Sequence, residues 1–350
     1  MKIRRILITR TDRLGDVVLS TPIIRFMRER YPDAYIAFMV RPENCDVVAN
    51  DPYLDEIIVY DKRGPQKSFS GTLKFVFSLR KKGFDTAIAL HPENRAHIIL
   101  FLAGIPVRIG YDRKLGWLLT ESFRHRKQEG DKHEADYNFD LLEQAGFDTE
   151  GADRKPYIFT GDKEKSAIDA VFAGKGLGRD VIAIHAGASC PSKRWPPEKF
   201  AAAADILALK YSADIVLVGG KETVEFSRRV VSAMKNKACD LTGTLRVAEL
   251  AEFLSRCRLF ISNDSGPVHV AAAVKTPVIA IFGRRDPGLS PKRWGPLGPS
   301  DTVVHGNDGC AICLAHNCEK DFACINAVTP DAVIAAAEKI LGPPPATLHK

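Results

Sequence analysis

The stretch RRILITRTDRLGDVVLSTP, residues 4–22, decides how the rest of the chain is read. Its first six residues form a short apolar run of strand type. A polar loop follows, and then DVVLSTPIIRFMRERY, residues 16–31, with apolar positions at helical spacing. A dinucleotide-binding fold places G-x-G-x-x-G at such a strand-to-helix junction, to let a pyrophosphate approach the helix N-terminus. Here one glycine, Gly15, lies between Asp12 and Asp16. That spacing speaks against a nicotinamide dehydrogenase. A carboxylate at a helix N-terminus is favoured by the helix dipole but repels a phosphate. Asp16 alone therefore has two readings, a helix-terminal charge or a base that takes a proton from a hydroxyl.

The same grammar recurs along the chain. EIIVY, AYIAFMV, DTAIAL and PVRIGY in the first half are strand candidates, as are DVIAIHAG, ADIVLVGG, RLFISND and TPVIAIFG in the second. Helical patterns such as PEKFAAAADILALKY and RVAELAEFLSRC separate them. Near-continuous apolar strands alternating with helices predict parallel sheets covered on both faces. The pattern occurs twice, so two doubly wound α/β domains in tandem are expected. The polar DTEGADRKPYIFTG, residues 148–161, marks the junction. The expected division is residues 1–155, residues 156–330, and a C-terminal helix and tail over 331–350, with Thr329 as N-cap and Pro330 in the first turn. The tail GPPPATLHK reads as disordered.

The bulk numbers agree. The chain has 350 residues, 45% hydrophobic and 27% charged, as a globular protein does. No apolar run approaches a membrane span, and the N-terminal apolar run is too short for a signal-peptide core. A cytoplasmic protein is the expectation. The net charge of +7 divides into +2 over residues 1–150 and +5 over the remainder. Neither half is a basic block of the kind that binds nucleic acid, so no nucleic-acid partner is expected.

Ligands of open α/β sheets bind beyond the carboxyl ends of the strands, and three further loops fall there. HAGASCPSKRWP, residues 185–196, joins small residues and the hydroxyl of Ser189 to Lys193, whose ammonium suits a phosphate. VGGKETVEF places Glu222 after a Gly219–Gly220 turn, where an acid can accept from ribose hydroxyls. SNDSGPVHVAAA opens a helix at Ser265, Gly266 and Pro267 whose unpaired N–H groups suit an anion, with Asp264 before it and His269 one turn in. Taken singly, each has an ordinary structural reading: a surface lysine, a helix-terminal acid, a structural histidine.

Together these stretches resemble glycosyltransferase family 9, the ADP-heptose:lipopolysaccharide heptosyltransferases. The resemblance rests on RTDRLGDVVLSTPIIRFMRERYP, HAGASCPSKRWP and ISNDSGPVHVAAAVKTPVIAIFG in this order, and extends from residue 3 to about residue 340. It implies a GT-B architecture, two Rossmann-like doubly wound domains facing a central cleft, the N-terminal one for the acceptor and the C-terminal one for the nucleotide sugar. It implies Asp16 as catalytic base and Ser189, Lys193, Glu222, Asp264, Ser265, Gly266 and His269 as donor-binding residues. The loop AGASCPSKRW departs from the paired threonines of heptosyltransferase I enzymes. Basic residues after N-terminal-domain strands, Arg13, Arg63 and Arg95, are the candidates for an anionic acceptor, with Lys62 beside them.

The resemblance implies inverting transfer of a heptose from ADP-heptose to a lipopolysaccharide core acceptor, without a cofactor or divalent metal. Contact with the inner membrane would be peripheral. A sugar-nucleotide epimerase and a non-catalytic nucleotide-sugar-binding protein are the competing readings; retention of Asp16 speaks against mere binding. Cys310, Cys313, Cys318 and Cys324 form a compact C-x2-C-x4-C-x5-C run. Four thiolates suit tetrahedral zinc, but the run lacks widely separated knuckles, and plain thiols are expected.

Overall fold

The structure is a computed structural model that describes residues 3–306 and 310–344. It divides into two compact units, Met1–Phe159 and Thr160–Lys350. The division thus falls a few residues beyond the expected 155/156, and the C-terminal helix belongs to the second unit rather than standing apart. Residues 345–350 of the expected disordered tail lie outside the described residues.

In the first unit β1 (Arg5–Thr9) leads to α1 (Leu14–Val18) and α2 (Thr21–Arg30), then to β2 (Tyr35–Val40) and β3 (Glu56–Val59). Next come α3 (Phe69–Lys82), β4 (Thr86–Ala89), α4 (Asn94–Leu102), β5 (Val107–Tyr111), β6 (Glu121–Phe123) and α5 (Glu134–Gln144). The single helix expected over residues 16–31 is two helices. Pro22 sits in the first turn of α2, where its missing N–H costs nothing; inside one continuous helix it would remove a hydrogen bond and clash with the preceding turn. All six strands are parallel, in the order β3-β2-β1-β4-β5-β6.

The second unit opens with α6 (Asp162–Lys175), β7 (Val181–His185), α7 (Pro197–Tyr211), β8 (Asp214–Leu217), α8 (Val224–Ala233) and β9 (Ala238–Asp240). It continues through α9 (Val247–Ser255), β10 (Leu259–Asn263), α10 (Gly266–Ala273), β11 (Val278–Phe282), α11 (Pro291–Trp294), β12 (Thr302–His305), α12 (Ala323–Asn326) and α13 (Pro330–Leu341). Its parallel sheet runs β12-β11-β10-β7-β8-β9. Counted within the unit, this is the same Rossmann order as the first sheet. Thr329 caps α13 by accepting from the Ala332 N–H at 3.2 Å.

The short edge strands β6, β9 and β12 escape the sequence reading because they lack apolar runs: ESF and ACD are half-exposed, and no residue of β12 is fully buried. The central strands are the reverse. Every residue of β4, β7, β10 and β11 is buried. Leu7, Met39, Tyr60, Phe75, Leu79, Ile99 and Leu100 form a core on one face of the first sheet. Ile184, Trp195, Phe200, Leu207, Ile261, Ile281 and Val333 do so in the second. Each such side chain contributes roughly 1.5–3 kcal/mol on burial, so both sheets are stiff platforms. Strand order reverses between β1 and β4 in one sheet and between β7 and β10 in the other, and these switch points are where this topology leaves a crevice for ligands.

Candidate active site

At the first switch point, the chain leaving β1 carries Arg10, whose side chain is only 2% exposed. Its guanidinium donates to Asp12 Oδ1 at 2.8 Å, to Asp16 Oδ1 at 2.5 Å, to Glu134 Oε1 at 3.0 Å and to Asn138 Oδ1 at 3.1 Å. Lys127 Nζ donates to the same Glu134 oxygen at 2.6 Å and to Asn138 Oδ1 at 3.0 Å. Glu134 and Asn138 lie one turn apart on α5, so they share a face. Burial opposes the charge on Arg10, but Asp12, Asp16 and Glu134 outweigh it and hold its pKa well above the ordinary value. The cluster is two cations and three carboxylates.

Asp16 sits in the first turn of α1. Burial, chiefly, and the neighbouring Asp12 push its carboxyl up to about 6; Arg10 pulls the other way. A carboxylate with this pKa is ionised at neutral pH yet basic enough to accept a proton. The loop holding it is fixed from both sides: Asn44 Nδ2 donates to the Asp12 carbonyl at 3.0 Å, and Ser20 Oγ to the Asp16 carbonyl at 2.8 Å. His91, directly after β4, has Nδ1 3.3 Å from Asp12 Oδ2. Burial, followed by the charge of Arg10, brings its pKa down to about 3, so the ring is neutral at physiological pH.

The basic candidates differ in setting. Arg13, at the N-cap of α1, and Arg63 are exposed. Arg95 is half-buried and donates to the Gln66 carbonyl and, at 3.0 Å, to Thr72 Oγ1. Its guanidinium thus ties the start of α4 to the start of α3. Lys62 is ion-paired to Glu93 at 2.7 Å.

At the second switch point the chemistry is cationic. Lys193 ends the short turn Pro191–Lys193 that follows β7, and its Nζ lies 3.0 Å from Asp264 Oδ2. Arg284, just after β11, donates to the same oxygen at 3.1 Å. Asp264 is thus a buried tether for two cations. Ser265 is the N-cap of α10, and its side chain does not cap the helix's own N–H groups; its Oγ instead lies 3.1 Å from His185 Nδ1. That nitrogen is also 3.2 Å from Ser262 Oγ. Burial lowers the His185 pKa to about 4, leaving a neutral ring. A Cβ on Gly187 or Gly219 would run into Thr223, and one on Gly219 would also crowd His185, so these turns need glycine.

The loop carrying Lys193 is anchored through Asn263, which accepts from the Trp195 N–H at 3.0 Å and donates to the Ala186 carbonyl at 2.7 Å. Ser189 and Glu222 are exposed at the same end of the sheet, and Gly266 and the buried His269 lie on α10. The structure therefore brings Lys193 and Asp264 into direct contact, with Ser265 next to Asp264 in the chain and Glu222 on the turn after β8.

Sequence reasoning missed Arg10, His91, Lys127, Glu134, Asn138, His185 and Arg284. A signal existed for some of them: Arg10, His91 and Arg284 all stand within two residues of a strand's carboxyl end, and His185 is the last residue of β7. The four clustered cysteines are half-buried and carry no disulfide. Burial, followed by the nearby Cys313, Cys318 and Cys310, raises the Cys324 thiol. Among the described residues no three His, Cys, Asp or Glu side chains are placed to hold a metal ion.

Two Rossmann-ordered sheets, one with a carboxylate site and one with a cation site at its switch point, have the build of a GT-B glycosyltransferase. Comparison with known proteins agrees. The model of glycosyltransferase family 9 (heptosyltransferase) matches residues 72–323, and the chain belongs to this family. Lipopolysaccharide heptosyltransferase 3 of Escherichia coli K12 is 24% identical over 339 residues, spanning 93% of this chain and 95% of that protein. The crystal structure of a family 9 glycosyltransferase from Veillonella parvula superposes with a TM-score of 0.86 at 28% identity, covering 97% of this chain and 98% of that one. The E. coli ADP-heptose lipopolysaccharide heptosyltransferase II has the same fold, with a TM-score of 0.77 at 22% identity over 97% of this chain and 98% of its own.

Proposed function

We propose that this glycosyltransferase moves a heptose from ADP-heptose to a lipopolysaccharide core acceptor with inversion at the anomeric carbon. The observation that carries the reading is the setting of Asp16, a largely buried carboxylate gripped by Arg10 with its pKa raised to about 6. Asp16 takes the proton of the acceptor hydroxyl as its oxygen attacks the anomeric carbon. The bond from that carbon to the phosphate oxygen breaks, and its electron pair leaves with ADP. Lys193 and the first N–H groups of α10 take up the charge that grows on the diphosphate. Arg284 keeps Lys193 and Asp264 in register through the shared carboxylate oxygen. These groups do what a divalent cation does in other transferases, so transfer is expected to proceed in EDTA.

Glu222 and Ser189 serve the donor as hydrogen-bonding groups, and Gly266 and His269 shape the start of α10. Arg13, exposed at the start of the helix that carries the base, and the exposed Arg63 meet anionic groups of the core sugar. Arg95 acts less directly, by holding the loop before α3. The names of the similar proteins, a lipopolysaccharide heptosyltransferase and an ADP-heptose-dependent one, support donor and acceptor alike. Such an acceptor places the enzyme in the cytoplasm, at the inner face of the membrane; no helix among the described residues is long and apolar enough to cross one. The test is incubation with ADP-heptose and truncated core lipopolysaccharides, with products identified by mass. A heptose adduct on a core acceptor is expected. Consumption of ADP-heptose to free or epimerised sugar, with no adduct on any acceptor, would refute the reading.

A further inference from the structure

The segment from Lys62 to Phe84 holds seven Lys and Arg and no Asp or Glu, although the whole chain carries 43 acidic residues. Lys62 and Lys82 are ion-paired to Glu93 and Glu56. The other five, Arg63, Lys67, Lys74, Arg80 and Lys81, are exposed and meet no carboxylate among the described residues. Most of this segment is α3. Its inner face, Phe75, Val76 and Leu79, packs into the core of the first sheet. Beside that face runs a second apolar stripe that is exposed to solvent: Phe69 is 84% exposed, Leu73 38% and Phe77 52%. These residues recur at every fourth position and so line up along the helix. Lys74 and Lys81, two turns apart, flank the stripe on its solvent side. The neighbouring α4 leaves Phe101 and Leu102 exposed as well.

Single exposed apolar residues are ordinary, but an aligned phenylalanine stripe bordered by unpaired cations on an acid-free helix is not. We propose that the outer face of α3 is the surface on which this enzyme rests against an anionic lipid bilayer, its phenylalanines entering the headgroup boundary and its lysines meeting lipid phosphates. Apolar insertion beside a cationic rim is how interfacial helices hold a membrane. A second copy of the chain fits less well, because a two-fold contact would set this basic rim against itself. The inference does not rest on the identity of donor or acceptor, since lipid binding is measured without either.

The experiment is co-sedimentation of the full chain with vesicles of phosphatidylglycerol and phosphatidylethanolamine, against vesicles of phosphatidylcholine alone. Binding to the anionic vesicles, weakened by salt, is expected. The variants Phe69→Ser with Phe77→Ser, and Lys67→Glu with Lys74→Glu and Lys81→Glu, should each lower partitioning on the order of tenfold or more while circular dichroism stays that of the parent protein. If either multiple variant unfolds, the single exchanges Phe69→Ser and Lys74→Glu, both at exposed positions, take its place and should show a smaller loss of the same sign. Equal partitioning onto neutral and anionic vesicles, parental partitioning by the variants, or self-association abolished by Phe69→Ser without any vesicle binding would each overturn the proposal.

Discussion

The two sheets share one strand order, yet their switch points have opposite chemistry. Beyond β1 and β4, carboxylates outnumber cations, and Arg10 is the buried hub that holds Asp12, Asp16 and Glu134 together. Beyond β7 and β10, the single carboxylate of Asp264 holds Lys193 and Arg284, and a helix start adds partial positive charge. A phosphate is repelled by the first arrangement and drawn to the second. In the proposed function, one topology thus supplies two platforms: one to accept a proton, the other to stabilise an anion. The loops after the strands, not the strands, make that difference.

The sharpest break in this contrast comes from Asp16→Asn. The exchange keeps the shape and removes the base. Transfer should fall by about 10²–10⁴-fold, the usual worth of general-base catalysis, while calorimetry with ADP gives parental affinity. Parental turnover in this variant would remove Asp16 from the chemistry; loss of ADP affinity would show that the two platforms are not chemically separate.

On the other side, Lys193→Ala should weaken ADP binding and slow transfer. A charge-assisted hydrogen bond contributes about 1.5–3 kcal/mol, a loss of roughly ten- to a hundredfold. Asp264 would still hold Arg284, so folding should be spared. Unchanged ADP affinity would take Lys193 out of the anion site. Smaller again is the expected effect of Arg13→Ala or Arg63→Ala: a several-fold rise in acceptor KM, shrinking as salt rises because exposed charges are screened, with ADP affinity untouched. A flat response to both exchanges would mean that the acceptor meets other residues.

Much of this contrast was legible in the sequence, and its limits have physical causes. The central strands announced themselves because burial on both faces demands apolar runs such as VIAIH and VIAIF. Asp16, Lys193, Asp264 and Ser265 stood out because they lie in loops next to small residues and helix starts. Glu134 and Lys127 did not, because their meeting with Arg10 is made by the fold: Glu134 is 124 residues away from it in sequence. The break in the first helix at Pro22 was readable from the proline itself. The edge strands were not, since a half-exposed strand of three residues has no periodicity to find.

The finest test of the first platform is its pH dependence. As the proposed base, Asp16 acts in its ionised form, so transfer should rise with pH through about 6 and level off above it. The sign for stability is the reverse. Because the folded-state pKa lies above the ordinary carboxyl value, the proton is held more tightly in the folded chain. The ionised side chain therefore weighs against folding increasingly from about pH 4 to about pH 6. Asp12 is one cause of the raised value, and it also occupies Arg10 Nε at 2.8 Å. Asp12→Asn removes a negative neighbour and weakens that competing hold on the guanidinium, so Arg10 can favour the Asp16 anion more strongly. Both effects act in one direction. The acid limb of kcat should move to lower pH in Asp12→Asn, leaving this variant a larger fraction of its plateau rate at pH 5 than the parent enzyme keeps. A purely structural role for Asp12 would lower the plateau and leave the limb in place. A limb displaced to higher pH would show that Asp12 steadies the Asp16 anion through Arg10 rather than opposing it.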